Sequence, residues 1–320
     1  MNFPVSYSTL SAESLLHLVL EKYDLPAAAS ITFLKRGFND TYRIDAGKSK
    51  YILRVYKYDW RSLSSIKTEL ELLQKLNEGG ISVSHSIPDK VNQHIQNVDA
   101  PEGKRYAVLF SFAEGEQVRK LSATQSFQLG EQTAKMHLLT AGSEFGETAQ
   151  NYSIEHQLEK TLHILKPILK DYPEALDYLI RLQEGFLETF SSVDSKELKT
   201  GICHGDLQAE NIHIAGNQYT FFDFDFFGKG YLIYDIGIFM WYDHKNKPKD
   251  IVDSFLEGYQ NHRKLSETEL KLLPWFSTLR ALFQMTLYCE ISDGRQLPLW
   301  PAQQVAQFVE KLKSWQQRFK

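Results

Sequence analysis

Residues 202–241, ICHGDLQAENIHIAGNQYTFFDFDFFGKGYLIYDIGIFMW, set several carboxylates and Asn211 among residues that would otherwise form a core. Charged groups are seldom buried without partners, so this stretch restricts the fold more than any other. His204, Asp206 and Asn211 fit H-x-D-x-x-x-x-N, a catalytic-loop spacing in which the Asp takes a hydroxyl proton and the Asn holds a metal. Asp223 follows 17 positions after Asp206. Tyr219 to Phe227 reads as a Phe-rich strand, which predicts Asp223 and Asp225 on one face and Phe222, Phe224 and Phe226 on the other. Two carboxylates on a buried face repel each other and lose hydration, so a bound cation is the natural compensation. Mg²⁺ suits them, as a hard ion that prefers oxygen ligands and is commonly shared with substrate phosphates.

H-G-D-L-x-x-x-N at residues 204–211, D-F-D at 223–225 and Y-D-I-G at 234–237 occur in a fixed order. With them the chain resembles the aminoglycoside phosphotransferase and choline kinase group, the small-molecule branch of the protein-kinase-like fold. The resemblance implies Asp206 as catalytic base, Asn211 and Asp223 as magnesium ligands, and Asp235 as a brace on the catalytic-loop backbone. Asp225 stands where protein kinases have the Gly of D-F-G and is given a supporting role. His204 reads as a loop-orienting side chain rather than a proton carrier. Asp235 has a second reading, as N-cap of an apolar helix over residues 236–242.

Composition is ordinary for a globular chain: 320 residues, 42 % hydrophobic and 24 % charged, enough for one large core or two lobes. A net charge of −4 gives no basic footprint, which argues against nucleic acid or an anionic membrane as partner and mildly favours a cationic substrate. Cys203 and Cys289 form no C-x-x-C pair, so neither a disulfide framework nor a zinc site is indicated, and a reducing cytoplasm fits. The first residues lack a basic region followed by an apolar core, and no 18-residue apolar run follows, so no export signal or membrane span is expected.

Residues 11–23 predict a helix capped by Ser11. Residues 31–36, 41–46 and 50–56 predict three strands. The turn holding Gly37 and Asn39 lies where the resemblance covers nucleotide phosphates with backbone N–H groups, although one Gly replaces G-x-G-x-x-G, as in an ordinary hairpin. Arg54 occupies the place of the phosphate-binding Lys. On the helix expected over residues 65–78, Glu69 falls inside the apolar stripe of Ile66, Leu70, Leu72, Leu73 and Leu76, and a carboxylate there needs a partner. Arg54 is that partner by chemistry and by resemblance; the other reading has Glu69 snorkelling at the lobe edge. Residues 91–98 and 105–112 read as a hairpin leading into a hinge, where the resemblance sets adenine against backbone near Ser111 and Ala113.

Helices are expected over residues 124–140, 154–170 and 174–190, with His137 as a buried structural His on the first. Beyond residue 236 the chain reads as mainly helical. Trp241, Tyr242, Asp243, Trp275, Tyr288, Glu290, Asp293 and Trp300 could form an aromatic and acidic wall for an amine-bearing acceptor, or equally a core with a solvated rim. The expected architecture is an α+β, two-lobed kinase-like fold. Its N-terminal nucleotide-binding lobe spans residues 1–112, with the extra helix at 11–23, and its helical catalytic and acceptor-binding lobe spans residues 113–320. The implied reaction moves the γ-phosphoryl of ATP or GTP, with Mg²⁺, to a hydroxyl of a small molecule such as an aminoglycoside, choline, ethanolamine or homoserine. Two rivals stand beside it. A protein Ser/Thr kinase is opposed by the 11 residues between Asp223 and Asp235, too few for a long activation loop. A nucleotide-binding module without chemistry is motivated by Arg54 and the Gly-poor turn, and opposed by the intact Asp206, Asn211 and Asp223.

Overall fold

Alternating burial along Asn39–Ala46 and apolar spacing along its neighbours build the first unit from an antiparallel sheet. The structure, a computed structural model, describes residue 3 and residues 5–243, 249–291 and 299–317; the side chains of Asp243 and Lys249 lie outside the described part. Helix α1 (Ala12–Lys22) starts at Ser11, whose hydroxyl accepts from Ser14 N. Strands β1 (Ser30–Arg36), β2 (Asn39–Ala46), β3 (Ser49–Tyr56), β4 (Gln96–Ala100) and β5 (Gly103–Ser111) pair in the order β1-β2-β3-β5-β4. Helix α2 (Leu63–Glu78) lies between β3 and β4 in the chain and is capped by Ser62. Leu53 and Val55 join Leu15 and Val19 of α1 in one core with Tyr42, Ile44 and Leu109. Arg54 and Tyr56 point to the other face of β3, where both meet Glu69 of α2.

Two strand expectations are corrected. Residues 91–95 are not strand: the Asp89 carboxylate accepts from Val91 N and Gln93 N, and Asn92 takes a left-handed φ of 63°, which folds the segment into a tight loop. The Phe-rich strand ends at Phe221, because Asp223 has a φ of 65° and breaks the alternation. Phe224, Asp225 and Phe226 are consequently all buried, rather than divided between two faces.

The first unit runs to Glu116 and also takes Phe145–Glu147 and Ile212–Phe222. The latter segment forms a hairpin of strands Ile212–Ala215 and Gln218–Phe221, and Phe221 exchanges backbone hydrogen bonds with Ser82 and Ser84.

The second unit is mainly helical: α3 (Ala123–Thr140), α4 (Ile154–Ile168), α5 (Pro173–Ser191), α6 (Ile233–Asp243), α7 (Lys249–His262), α8 (Glu267–Glu290) and α9 (Ala302–Gln316). A short sheet sets strand Gly228–Tyr231 between Thr200–Cys203 and Gln150–Asn151. None of the described helices is long and apolar enough to cross a membrane.

Helices α3 and α7 approach until backbones touch. A Cβ added at Gly130 would lie 2.1 Å from Phe255 O, and one at Gly258 would lie 1.9 Å from Phe127 O. Alanine normally stabilises a helix by about 1 kcal/mol over glycine, but here it must displace a neighbouring backbone. Gly130→Ala and Gly258→Ala should therefore each lower the unfolding free energy, by about 1–3 kcal/mol from overpacking. Urea unfolding of either variant measures this, and a stabilised variant would show that the crossing is looser than described.

Candidate active site

The loop after strand Thr200–Cys203 turns at Gly205, whose φ of 80° and close approach to Phe226 O, 1.9 Å from a notional Cβ, admit no side chain. The fully buried Asp235 carboxylate accepts from His204 N at 2.7 Å and Gly205 N at 2.9 Å, so it serves this loop although it belongs to the first turn of α6. It also meets His137 Nε2 at 3.0 Å, while His137 Nδ1 lies 2.8 Å from the Tyr259 hydroxyl. A carboxylate only accepts, so His137 Nε2 donates to Asp235. Arg263 donates to the Tyr259 oxygen and pairs with Glu269, which continues the polar chain toward the start of α8. The His204 ring packs 4.2 Å from Phe224 and accepts from Asp206 N at 3.2 Å, a loop-orienting position.

Asp206 is met by four donors. Asn211 Nδ2 lies 2.8 Å from its Oδ2 and 2.9 Å from its backbone oxygen, and Gln208 Nε2 lies 2.9 Å from Oδ2. On the other side, Arg280 Nη2 and the Tyr242 hydroxyl, the latter at 3.2 Å, donate to Oδ1. Arg280 also donates to Gly205 O at 3.0 Å. Burial works against its charge, yet Tyr242, Asp206 and Tyr234 outweigh burial and hold its pKa well above the ordinary arginine value. Burial pushes the Tyr242 hydroxyl up, with Arg280 pulling the other way, so Tyr242 stays protonated and able to donate. The sequence reading missed Arg280. Its signal is a lone cation within the buried run Phe276–Leu282 of α8, the same kind of signal that singled out Glu69.

Asn211 and Asp223 offer the donor chemistry a hard cation needs. The Asn211 amide nitrogen is engaged by Asp206, which leaves the amide oxygen as its ligand atom, and Asp223 adds a carboxylate. Among the described residues no three His, Cys, Asp or Glu side chains cluster as a metal site. Asp225 is buried, at 4 % exposure.

In the first unit Arg54 Nη1 lies 2.8 Å from Glu69 Oε1, and the Tyr56 hydroxyl donates to Oε2 at 3.0 Å. The Glu69 side chain is 2 % exposed, so it does not snorkel, and the Arg54 guanidinium lies 4.9 Å from the Phe110 ring centroid. Gly37 N donates to Asn39 O, closing the turn, and the Asn39 side chain is engaged by Lys57 N at 3.2 Å. Ser111 N donates to His85 O, and Ala113 O lies 2.6 Å from His213 Nδ1.

Of the residues expected to form one acceptor wall, Trp241, Tyr242, Trp300 and Tyr288 gather at one cavity, whereas Trp275 and Glu290 do not join them. Trp241 lines a cavity of about 610 Å³ with Tyr242, Gln284, Trp300, Gln304 and Phe308, and Tyr288 stacks on Trp300. Trp275 packs edge-on against Phe186, and Glu290 pairs with Lys160 at 2.8 Å, each beside a different cavity. The Asp243 side chain and Asp293 lie outside the described residues.

Removing the Glu69 carboxylate deletes a hydrogen bond from Arg54 and another from the Tyr56 hydroxyl. Glu69→Ala should cost about 3–5 kcal/mol, the range for breaking a buried pair from one side, with Glu69→Gln costing less because its amide oxygen still accepts. A chemical-denaturation difference under about 1 kcal/mol for the Ala variant would mean that solvent already screens the pair.

Three comparisons set the chain beside known proteins. The model of the phosphotransferase enzyme family matches residues 30–270. An uncharacterised protein of Synechocystis is 32 % identical over 270 residues, 83 % of this chain and 75 % of that one. The homoserine kinase of Agrobacterium fabrum is 26 % identical over 275 residues, 82 % of this chain and 80 % of that one. In fold, the chain is similar to amicoumacin kinase hAmiN, solved in complex with AMP-PNP, Ca²⁺ and Ami: TM-score 0.77, 22 % identity, covering 95 % of this chain and 94 % of that one. With the family model matched across most of its length and kinases of small molecules among its relatives, the chain belongs to the phosphotransferase enzyme family and is a small-molecule phosphotransferase.

Proposed function

We propose that the protein moves the γ-phosphoryl group of ATP to a hydroxyl of a small molecule in the cytoplasm, with Asp206 orienting that hydroxyl and receiving its proton. The observation that carries this reading is the Asp206 carboxylate, fixed by donors from its own loop and from Tyr242 and Arg280, on a backbone that Asp235 braces. Such a transfer depends on positioning and charge neutralisation more than on a strong base. A carboxylate paired with a buried guanidinium is suited to that task. Asn211 and Asp223 would hold Mg²⁺, which when bound neutralises phosphate charge. Arg54, steadied by Glu69, is the cation for the phosphates. An Arg in this role presents a flat, permanently charged fork in place of an ammonium. The turn at Gly37 and Asn39 and the backbone near Ser111 and Ala113 are assigned to the nucleotide.

Tyr242 is shared by Asp206 and the 610 Å³ cavity, and we assign that cavity to the acceptor. Its aromatic faces attract an ammonium group, and the amides of Gln284 and Gln304 provide donors and acceptors for hydroxyls. An amine-bearing or polyhydroxy acceptor fits these walls.

Asp206→Asn should lower turnover by on the order of 10² or more, the scale of general-base loss. Because Asp206 also neutralises buried Arg280, the variant should melt earlier as well, so turnover is counted per molecule that binds Mg·ATP in calorimetry. Unchanged turnover on that basis would remove Asp206 from the chemistry. Asp223→Asn, which keeps a residue tolerant of the left-handed backbone, should weaken Mg·ATP binding and leave metal-free adenosine binding unaltered. Equal losses for both ligands would assign Asp223 to the fold instead.

A further inference from the structure

The four donors around Asp206 leave it no vacancy. Oδ1 accepts from Arg280 and Tyr242, and Oδ2 accepts from Asn211 and Gln208. A carboxylate has about four lone-pair sites, so an incoming O–H must displace one donor before it reaches Asp206.

The four are unequal. The Arg280 side chain is 3 % exposed, is tied to Gly205 O, and lies 5.2 Å from the ring centroids of both Tyr242 and Phe283. The Asn211 amide is held a second time by the Asp206 backbone oxygen. The Tyr242 hydroxyl also receives a hydrogen bond from Arg280. The Gln208 side chain is half-buried, and among the described residues the bond to Asp206 is its one hydrogen bond. Its release breaks a single contact and leaves the amide free to reach solvent or substrate.

We propose that Gln208 is an exchangeable cap on Asp206. In the resting protein its amide N–H holds the seat that the acceptor hydroxyl takes in the reacting complex, and with nucleotide alone it keeps water out of that seat. The proposal rests on the reading of Asp206 as the group that receives the hydroxyl proton. Water competes with every alcohol acceptor. In hydrolysis its oxygen bonds to the γ-phosphorus, the bond from that phosphorus to the bridging oxygen breaks with the electron pair leaving on ADP, and a water proton passes to Asp206 and then to solvent. Gln208 is thus a positioning residue that selects acceptor over water by acting on Asp206.

The test is ADP release from Mg·ATP without acceptor, measured for the wild type, Gln208→Ala, Tyr242→Phe and the double variant Gln208→Ala with Asp206→Asn. Calorimetry with Mg·ATP serves as the folding and binding control. Gln208→Ala should raise hydrolysis by about tenfold, the factor for removing a competitor held by one charge-assisted hydrogen bond. Nucleotide affinity should stay within about twofold, and the double variant should return to background. Wild-type hydrolysis in a Gln208→Ala protein that binds Mg·ATP normally would overturn the cap. So would a rise seen only in Tyr242→Phe, or one that survives Asp206→Asn. If the wild type itself binds no Mg·ATP, the phosphotransfer reading fails first and the cap falls with it.

Discussion

The site depends on one buried carboxylate. Asp235 has no access to water, and an ionised group in such a place is tolerated only when donors surround it. Two of those donors are consecutive backbone N–H groups, of His204 and Gly205, so satisfying the charge and fixing the loop are the same event. The third is His137, whose ring is held in place through Tyr259, Arg263 and Glu269. Each link left unpaired would cost about 1–3 kcal/mol, so the loop is over-determined by residues from α3, α6, α7 and α8. A shift in any of these helices must break a hydrogen bond before it can move Asp206.

Much of this was legible in the sequence, where a polar residue stood out against an apolar background. Glu69 on the stripe of α2 predicted its partner Arg54, and the spacing of His204, Asp206 and Asn211 predicted a loop carrying a carboxylate. Arg280 is as conspicuous in its own helix, but its partner lies 74 positions earlier, and no local pattern links α8 to the loop. Aromatic residues were the least informative. Trp275 and Trp241 look alike in sequence, yet they line different cavities, Trp275 packed on Phe186 and Trp241 beside Tyr242, because a large ring serves any apolar wall. The Phe-rich segment misled for a related reason. Strand propensity speaks for residues 219–227, and one backbone torsion at Asp223 overrides it.

That torsion is itself informative. A left-handed Asp is tolerated better than a branched residue but still costs more than glycine would, and such positions persist where the surroundings impose them. A structural turn at residue 223 would be filled more readily by glycine.

Arg280 also gives the protein a temporal order. It lies 74 residues beyond Asp206, so at about 5–20 residues per second a ribosome exposes the loop roughly 4–15 s before the cation that anchors it. During that interval the nascent chain carries the complete H-x-D-x-x-x-x-N motif but lacks the guanidinium that completes its geometry. A chain that terminates ahead of α8 is left permanently in that condition, with every signature residue present and no finished site. The contact between Arg280 and Asp206 is therefore completed late in synthesis, after most of the polypeptide has been made.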